Sequence, residues 1–90
     1  MKIVYKYQLN QWSENKIQMP AGAEIIHAAL QERTICIWAL VDAGKPFVER
    51  RFDIIGTGFG FSDDSERVHI GTFMTVDEMF VWHVFEKVTS

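Results

Sequence analysis

The amino-acid sequence predicts an all-β fold: a single compact antiparallel sandwich or partly open barrel of about seven strands. Apolar and polar residues alternate with a period of two through most of the 90-residue chain. β-branched and aromatic residues are concentrated in the alternating runs, and turn-forming residues interrupt them roughly every ten positions. This length supports one hydrophobic core, so residues 1–90 are expected to form a single domain.

The first two predicted strands are residues 2–9 and 16–19. In the first, every second residue from Ile3 to Leu9 is apolar and is expected to face the core. The second ends at Pro20, which is disfavoured inside a sheet because it has no amide to donate.

The next two predicted strands are residues 24–31 and 34–41, joined by a short polar turn. Residues 24–31 include several helix formers, but the short length of the segment favours a strand. Ile26, Ala28 and Leu30 are expected to share one face of this strand, with His27 and Ala29 on the other. Residues 34–41 are almost continuously apolar, which predicts a central strand covered on both faces.

The remaining predicted strands are residues 47–57, 67–74 and 79–88. The tripeptide Ile-Gly-Thr occurs once near the end of the first of these strands and once within the second, on either side of a polar loop. We expect these two strands to pair as a hairpin, with Phe52 opposite Phe73 or Met74. Gly56 and Gly71 would then lie close together at the mouth of the hairpin.

Composition and charge exclude several classes of function. The net charge of -3 argues against binding duplex nucleic acid, which requires a cluster of basic residues. The single cysteine, Cys36, lies in an apolar run and is expected to be a buried, unreactive side chain. The chain shows neither a signal-peptide core nor a membrane-spanning stretch, so a cytoplasmic protein without membrane association is expected.

Six short motifs together resemble a small uncharacterised β-rich domain family found in bacteriophage and prophage genomes. They are residues 3–7, 19–23, 38–42, 55–58, 70–73 and 83–86, and their order is more distinctive than any one of them. The resemblance implies a phage-type β-rich protein, in the host cytoplasm if phage-encoded, and it implies no catalytic residue. Small phage proteins of this kind often resemble host-takeover or anti-defence factors, including sponges that sequester nucleotide signals.

The repeated Ile-Gly-Thr segments are the main candidate ligand site. Glycine amides and threonine hydroxyls there could bind an anion, with an aromatic ring stacking on a base and an arginine supplying charge. The candidate residues are Gly56, Thr57, Gly58, Phe59, Gly71, Thr72, Arg51 and Arg67. The alternative is that the glycines accommodate a bulge or a large neighbouring side chain.

Other constellations give weaker signals. The three histidines, His27, His69 and His83, lack metal-ligand spacing, so neither a metal nor a cofactor is expected. No nucleophile motif is present, and an enzyme is therefore not expected. Trp12 and Phe61 are candidate interaction residues, since exposed aromatic side chains often anchor interfaces.

Two functions follow from these observations. The first is a non-enzymatic, phage-type binding protein that sequesters a small nucleotide-like host signal. The alternative is a protein-interaction or homo-oligomerising module, acting as a host-takeover factor or a minor virion component. A homo-oligomer is also expected because a small β domain must cover its edge strands.

Overall fold

The computed structural model describes residues 1–75 and 79–88, which form an all-β domain of two antiparallel sheets. The strands are β1 (Lys2–Gln8), β2 (Asn15–Pro20), β3 (Glu24–Gln31), β4 (Thr34–Asp42), β5 (Phe47–Gly56), β6 (Arg67–Met74) and β7 (Val81–Lys87). The described residues contain no helix, and the sheets do not close into a barrel. The predicted fold class and strand count are confirmed, with strand ends shifted by at most two residues.

The three-stranded sheet has the order β1-β4-β3. Strands β3 and β4 form a hairpin whose two-residue turn places Glu32 and Arg33 at φ values of 50° and 68°. Positive φ at both central positions is the signature of a type I′ turn, which matches the twist of the strands. Neither residue is a glycine or asparagine, so this turn retains backbone strain.

The four-stranded sheet has the order β2-β5-β7-β6 and corrects one prediction. Strands β5 and β6 do not form a hairpin, because β7 lies between them and pairs with both. Phe52 is accordingly opposite Glu86, and neither Phe73 nor Met74 is its partner. The last strand is the most apolar of the three, which favours its central position in the sheet.

The core lies between the two sheets and is built from every second residue of the central strands. Phe52, Ile37, Val41 and Val84 are fully buried there. Cys36 is buried as a free thiol, as predicted. The outer face of β4 differs from the prediction, since Trp38 is only half-buried and the second sheet covers only the other face.

A β-bulge in β3 removes Ile26 from the face that it was expected to share with Ala28 and Leu30. The register shifts between Ile25 and His27, so Ile25 takes the inward position and Ile26 is exposed. Ala28 and Leu30 share a face, as expected, and pack against the core. The bulge adds one residue to β3, so side chains before it face the opposite side from the one that simple alternation predicts. The alternating sequence pattern does not indicate where such a residue is inserted.

A charged pair ties the core side of the second sheet to the loop before β3. The Arg50 Nε and Nη2 atoms donate to the two carboxylate oxygens of Glu86 at 2.6 and 2.8 Å. Arg50 also donates to the backbone carbonyl of Ala23. Both charged side chains are about four-fifths covered, so the fork-shaped pairing holds this arginine in place.

Candidate functional site

Strand β7 brings the two Ile-Gly-Thr segments together at one histidine. The Thr57 hydroxyl lies 2.7 Å from His83 Nε2, and the Thr72 hydroxyl lies 3.0 Å from His83 Nδ1. The segments therefore do converge, although through the strand between them and not through a shared hairpin. Both hydroxyls lie on the exposed face of the four-stranded sheet, opposite the core.

The hydrogen-bonded row continues to a second histidine. His69 Nε2 lies 2.9 Å from the Thr72 hydroxyl, and the rings of His69 and His83 are 6.5 Å apart. The Thr72 hydroxyl has one proton and contacts two imidazole nitrogens. At least one of those nitrogens must therefore be the donor, so the row restricts the tautomers of both histidines.

Three glycines of the candidate site have structural causes. A Cβ atom at Gly56 would lie 3.0 Å from the Trp82 ring, and one at Gly71 would lie 3.0 Å from the Phe73 ring. Gly71 also follows a bulge in β6. Gly58 has a φ of 85° in a turn closed by a hydrogen bond from the Phe59 amide to the Gly56 carbonyl, as a type II turn requires.

Two of the backbone amides near Thr57 already donate to carbonyl groups within the domain. The Thr57 amide donates to the Val81 carbonyl at 3.0 Å, and the Phe59 amide closes the turn just described. These contacts favour packing as the role of the glycines.

The two candidate arginines are engaged elsewhere. Arg67 donates to the Asp53 carboxylate at 2.9 Å and to the carbonyl of Ser62 at 3.0 Å, and its guanidinium lies 5.1 Å from the centre of the Phe61 ring. The hydrogen bond with Asp53 raises the pKa of Arg67 above its ordinary value. Arg67 thus organises the loop between β5 and β6.

Arg51 is more exposed than Arg67 and is surrounded by carboxylates. Its Nε donates to Glu49 at 3.3 Å, and a second nitrogen lies 3.9 Å from Glu14. Neither candidate arginine therefore supplies free positive charge beside the threonine hydroxyls.

An aromatic cluster surrounds Trp82 at the end of the sheet. The rings of Trp12, Phe59 and Phe80 lie 5.7, 5.9 and 6.3 Å from the Trp82 ring. Trp82 itself is buried, whereas each of the three surrounding side chains is more than half exposed. Exposed aromatic side chains around a buried tryptophan are a common feature of binding surfaces.

Part of this cluster forms a small cavity, here called the Trp82 cavity, of about 240 Å³. It is lined by Gly56, Thr57, Phe59, Met79, Phe80, Val81 and Trp82. Thr57 is also among the lining residues, but its hydroxyl belongs to the histidine row on the exposed face of the sheet. The side chains that line the cavity are therefore mainly aromatic and aliphatic.

A second concavity, here called the Trp12 groove, lies between the turn after β1 and the loop after β5. It has a volume of about 410 Å³ and is bordered by Trp12, Phe61 and Arg67. Both predicted interaction residues, Trp12 and Phe61, thus lie on the same surface. Phe61 also packs against Phe85, with ring centres 6.4 Å apart.

Trp82 and Phe80 were not among the candidate residues predicted from the sequence, and His83 was only one of three histidines without metal-ligand spacing. The available signal was the pattern of β7, in which Trp82 and His83 must face opposite sides of the sheet. His27 lies on the other sheet against Trp38, so the three histidines do not converge. Within residues 1–75 and 79–88, no three potential ligand side chains of the His, Cys, Asp or Glu type form a metal site.

The architecture and this surface define a small two-sheet β domain with an exposed Thr-His row beside an aromatic cavity. The chain belongs to the family described as domain of unknown function DUF7352, whose model matches residues 1–90. No curated protein and no solved structure matches the chain.

No helix in the described part of the chain is long and apolar enough to cross a membrane. The phage association and the cytoplasmic location stay predictions.

Proposed function

We propose that this domain is a non-enzymatic binding protein whose Trp82 cavity takes the planar ring of a small nucleotide-like molecule. The observation that carries the proposal is the cavity itself, whose lining includes the aromatic side chains of Phe59, Phe80 and Trp82. A volume of about 240 Å³ suits a single ring system better than a large ligand.

Stacking on aromatic side chains supplies the binding energy in this proposal. A base stacked on an aromatic residue contributes about 1–3 kcal/mol, and every base offers a face for it.

The phosphate of a bound nucleotide would lie outside the cavity, in solvent. Arg67 is bound to Asp53 and Arg51 lies between two glutamates, so the nearby cations are already paired. A nucleoside and its monophosphate should therefore bind with similar affinity. An anti-defence role, in which the domain sequesters a host nucleotide signal, rests on the resemblance to phage proteins.

Isothermal titration with adenosine, AMP, ADP-ribose and cyclic dinucleotides tests this function. We expect binding by the unmodified domain, and Phe80→Ala should weaken it by about 5- to 150-fold because one stacking partner is lost. Phe47→Ala is the matched control, since Phe47 is a similarly exposed phenylalanine outside the cavity. No binding at tens of micromolar, or equal losses in the two variants, would contradict the proposal.

A second candidate, a protein-interaction module, is favoured by the Trp12 groove. Trp12 is 75% exposed although it packs edge-on against Trp82, and Phe61 is 57% exposed on the same groove. This function predicts that a captured protein is lost with Trp12→Ala and Phe61→Ala and is retained with Phe47→Ala. Loss in all three variants, or in none, would exclude the groove as the interface.

A further inference from the structure

The edge strand β1 is the most regular free edge of the described structure. The strands at the ends of the two sheets are β1, β3, β2 and β6. Strands β3 and β6 both contain bulges, and β2 is short and ends in Pro20, three devices that discourage pairing with another strand. Strand β1 pairs with β4 over all seven of its residues without a register shift.

The side chains of β1 leave apolar surface uncovered on both faces of the sheet. Ile3 and Tyr5 are each 36% exposed although they lie on the inward side of the strand, and Val4 on the other side is 51% exposed. Contiguous exposed apolar residues on a free edge are favourable for pairing with a further strand.

Lysine on an edge strand normally opposes such pairing, but Lys6 is directed away from the edge. Its ammonium group donates to the Gln31 side-chain oxygen at 2.7 Å. Gln31 is on β3, which lies beyond β4, so the Lys6 side chain crosses the neighbouring strand. The Lys6 side chain therefore leaves the free edge of β1 accessible to another strand.

The hydrogen-bonding direction of each β1 residue follows from one contact. The Leu9 amide, one residue beyond β1, donates to the carbonyl of Ile35, a contact that continues the register of β1 with β4. Because this direction alternates along a strand, the odd-numbered residues of β1 bond to β4. The amides and carbonyls of Lys2, Val4, Lys6 and Gln8 therefore point to the free side.

We propose that β1 pairs antiparallel with β1 of a second copy, with the two-fold axis at Tyr5. This register pairs the whole strand, from Lys2 opposite Gln8 to Val4 opposite Lys6 of the second copy. No lysine meets a lysine, whereas centring the axis at Val4 would place Lys2 opposite Lys6 and bring like charges together. The dimer joins the two three-stranded sheets into one six-stranded sheet.

The same register matches the side chains and the backbone. The outward groups of Val4 bond to those of Lys6 in the second copy, and Tyr5 faces its own copy as a non-hydrogen-bonded pair. Ile3 lies opposite Tyr7 on the same face, so the apolar inward side of the edge continues across the axis. This interface is independent of the ligand proposed for the Trp82 cavity.

Sedimentation equilibrium tests whether the pair forms. We expect a mass of about twice the 10.4 kDa of the chain at about 100 μM protein. Val4→Pro should give a monomer with unchanged circular dichroism, because it removes an amide that points away from β4. Val4→Ala is the matched control that keeps this amide and should remain dimeric. A monomeric unmodified domain, or a folded dimer of Val4→Pro, would overturn the proposal.

Cysteine cross-linking tests the register and does not depend on the folding of the proline variant. Non-hydrogen-bonded partners lie about 4.5 Å apart at Cα, within the range that a disulfide bridges. Tyr5→Cys should therefore form an interchain disulfide on mild oxidation, whereas Ile3→Cys, at equal exposure, should not. Cys36 is buried and does not compete. Equal cross-linking of the two variants, or none in Tyr5→Cys, would refute the axis at Tyr5.

Discussion

Replacing Arg33 by glycine should stabilise the domain. Arg33 occupies the second central position of the β3–β4 turn with a φ of 68°, a conformation in which its Cβ atom is crowded by the backbone. Glycine is the preferred residue there because it has no Cβ atom. Within the described residues the Arg33 side chain makes no hydrogen bond or ion pair. Its removal should therefore cost little stability.

The size of the effect follows from two opposing contributions. An L-residue in the left-handed region costs roughly 1–2 kcal/mol, and glycine removes this cost. Glycine also gives the unfolded chain more freedom, which costs about 0.5–1 kcal/mol. The free energy of unfolding should therefore rise by about 0.75 kcal/mol, the middle of a range from about 0 to 1.5 kcal/mol. For a domain of this size the midpoint of thermal unfolding should rise by about 2–8 °C.

Thermal and urea unfolding, followed by circular dichroism, measure this change. Arg33→Ala is the matched control, since it removes the same charge and keeps the Cβ atom. We expect no stabilisation in that variant. If Arg33→Ala stabilises as much as Arg33→Gly, the effect comes from charge and the strain argument is refuted.

Three further predictions concern other polar groups and turns. Glu86→Gln should lower the free energy of unfolding by about 1–3 kcal/mol in urea titration, because Arg50 loses the charge it is paired with. A stability equal to that of the unmodified domain would contradict this. Gly58→Ala should cost about 1 kcal/mol because its φ is 85°, whereas Gly60→Ala, which has open space and no positive φ, should change stability by less than about 0.5 kcal/mol. Equal costs at the two glycines would rule out backbone strain. A hydrogen bond from the Gly44 amide lowers the pKa of Asp42 below its ordinary value of 3.8. This carboxylate therefore stabilises the fold above pH 3.8, and the stabilisation is lost as the pH falls through the lower pKa of the folded state. The difference in stability between the unmodified domain and Asp42→Asn should disappear on acidification, and a difference independent of pH would contradict the assignment.

Strand positions were predictable from the sequence because each strand carries its own alternating pattern. The residues 24–31 and 67–74 were predicted with the observed bounds. The order of strands was not predictable in the same way, since the loop of residues 57–66 is compatible with a hairpin and with the insertion of β7. Which of these two arrangements forms depends on the long-range pairing of β7 with β5 and β6. The sequence pattern of each single strand does not indicate that pairing.

The candidate site was predicted only in part for the same reason. The repeated Ile-Gly-Thr motif indicated that Thr57 and Thr72 belong together, and the structure joins them through His83. The motif did not reveal that Arg67 is bound to Asp53, because that contact spans β7. The aromatic cluster brings together the turn after β1, the loop after β5 and the start of β7, three segments far apart in the chain.

The insertion of β7 between β5 and β6 also sets an order of assembly. During synthesis the three-stranded sheet can form once residue 42 is available, whereas β6 gains its partner only after the chain has been made to residue 87. Until then the two threonines belong to separate segments, and His83 is not in place to join them. The candidate binding surface therefore cannot be complete before β7 has been made and has paired with both of its neighbours.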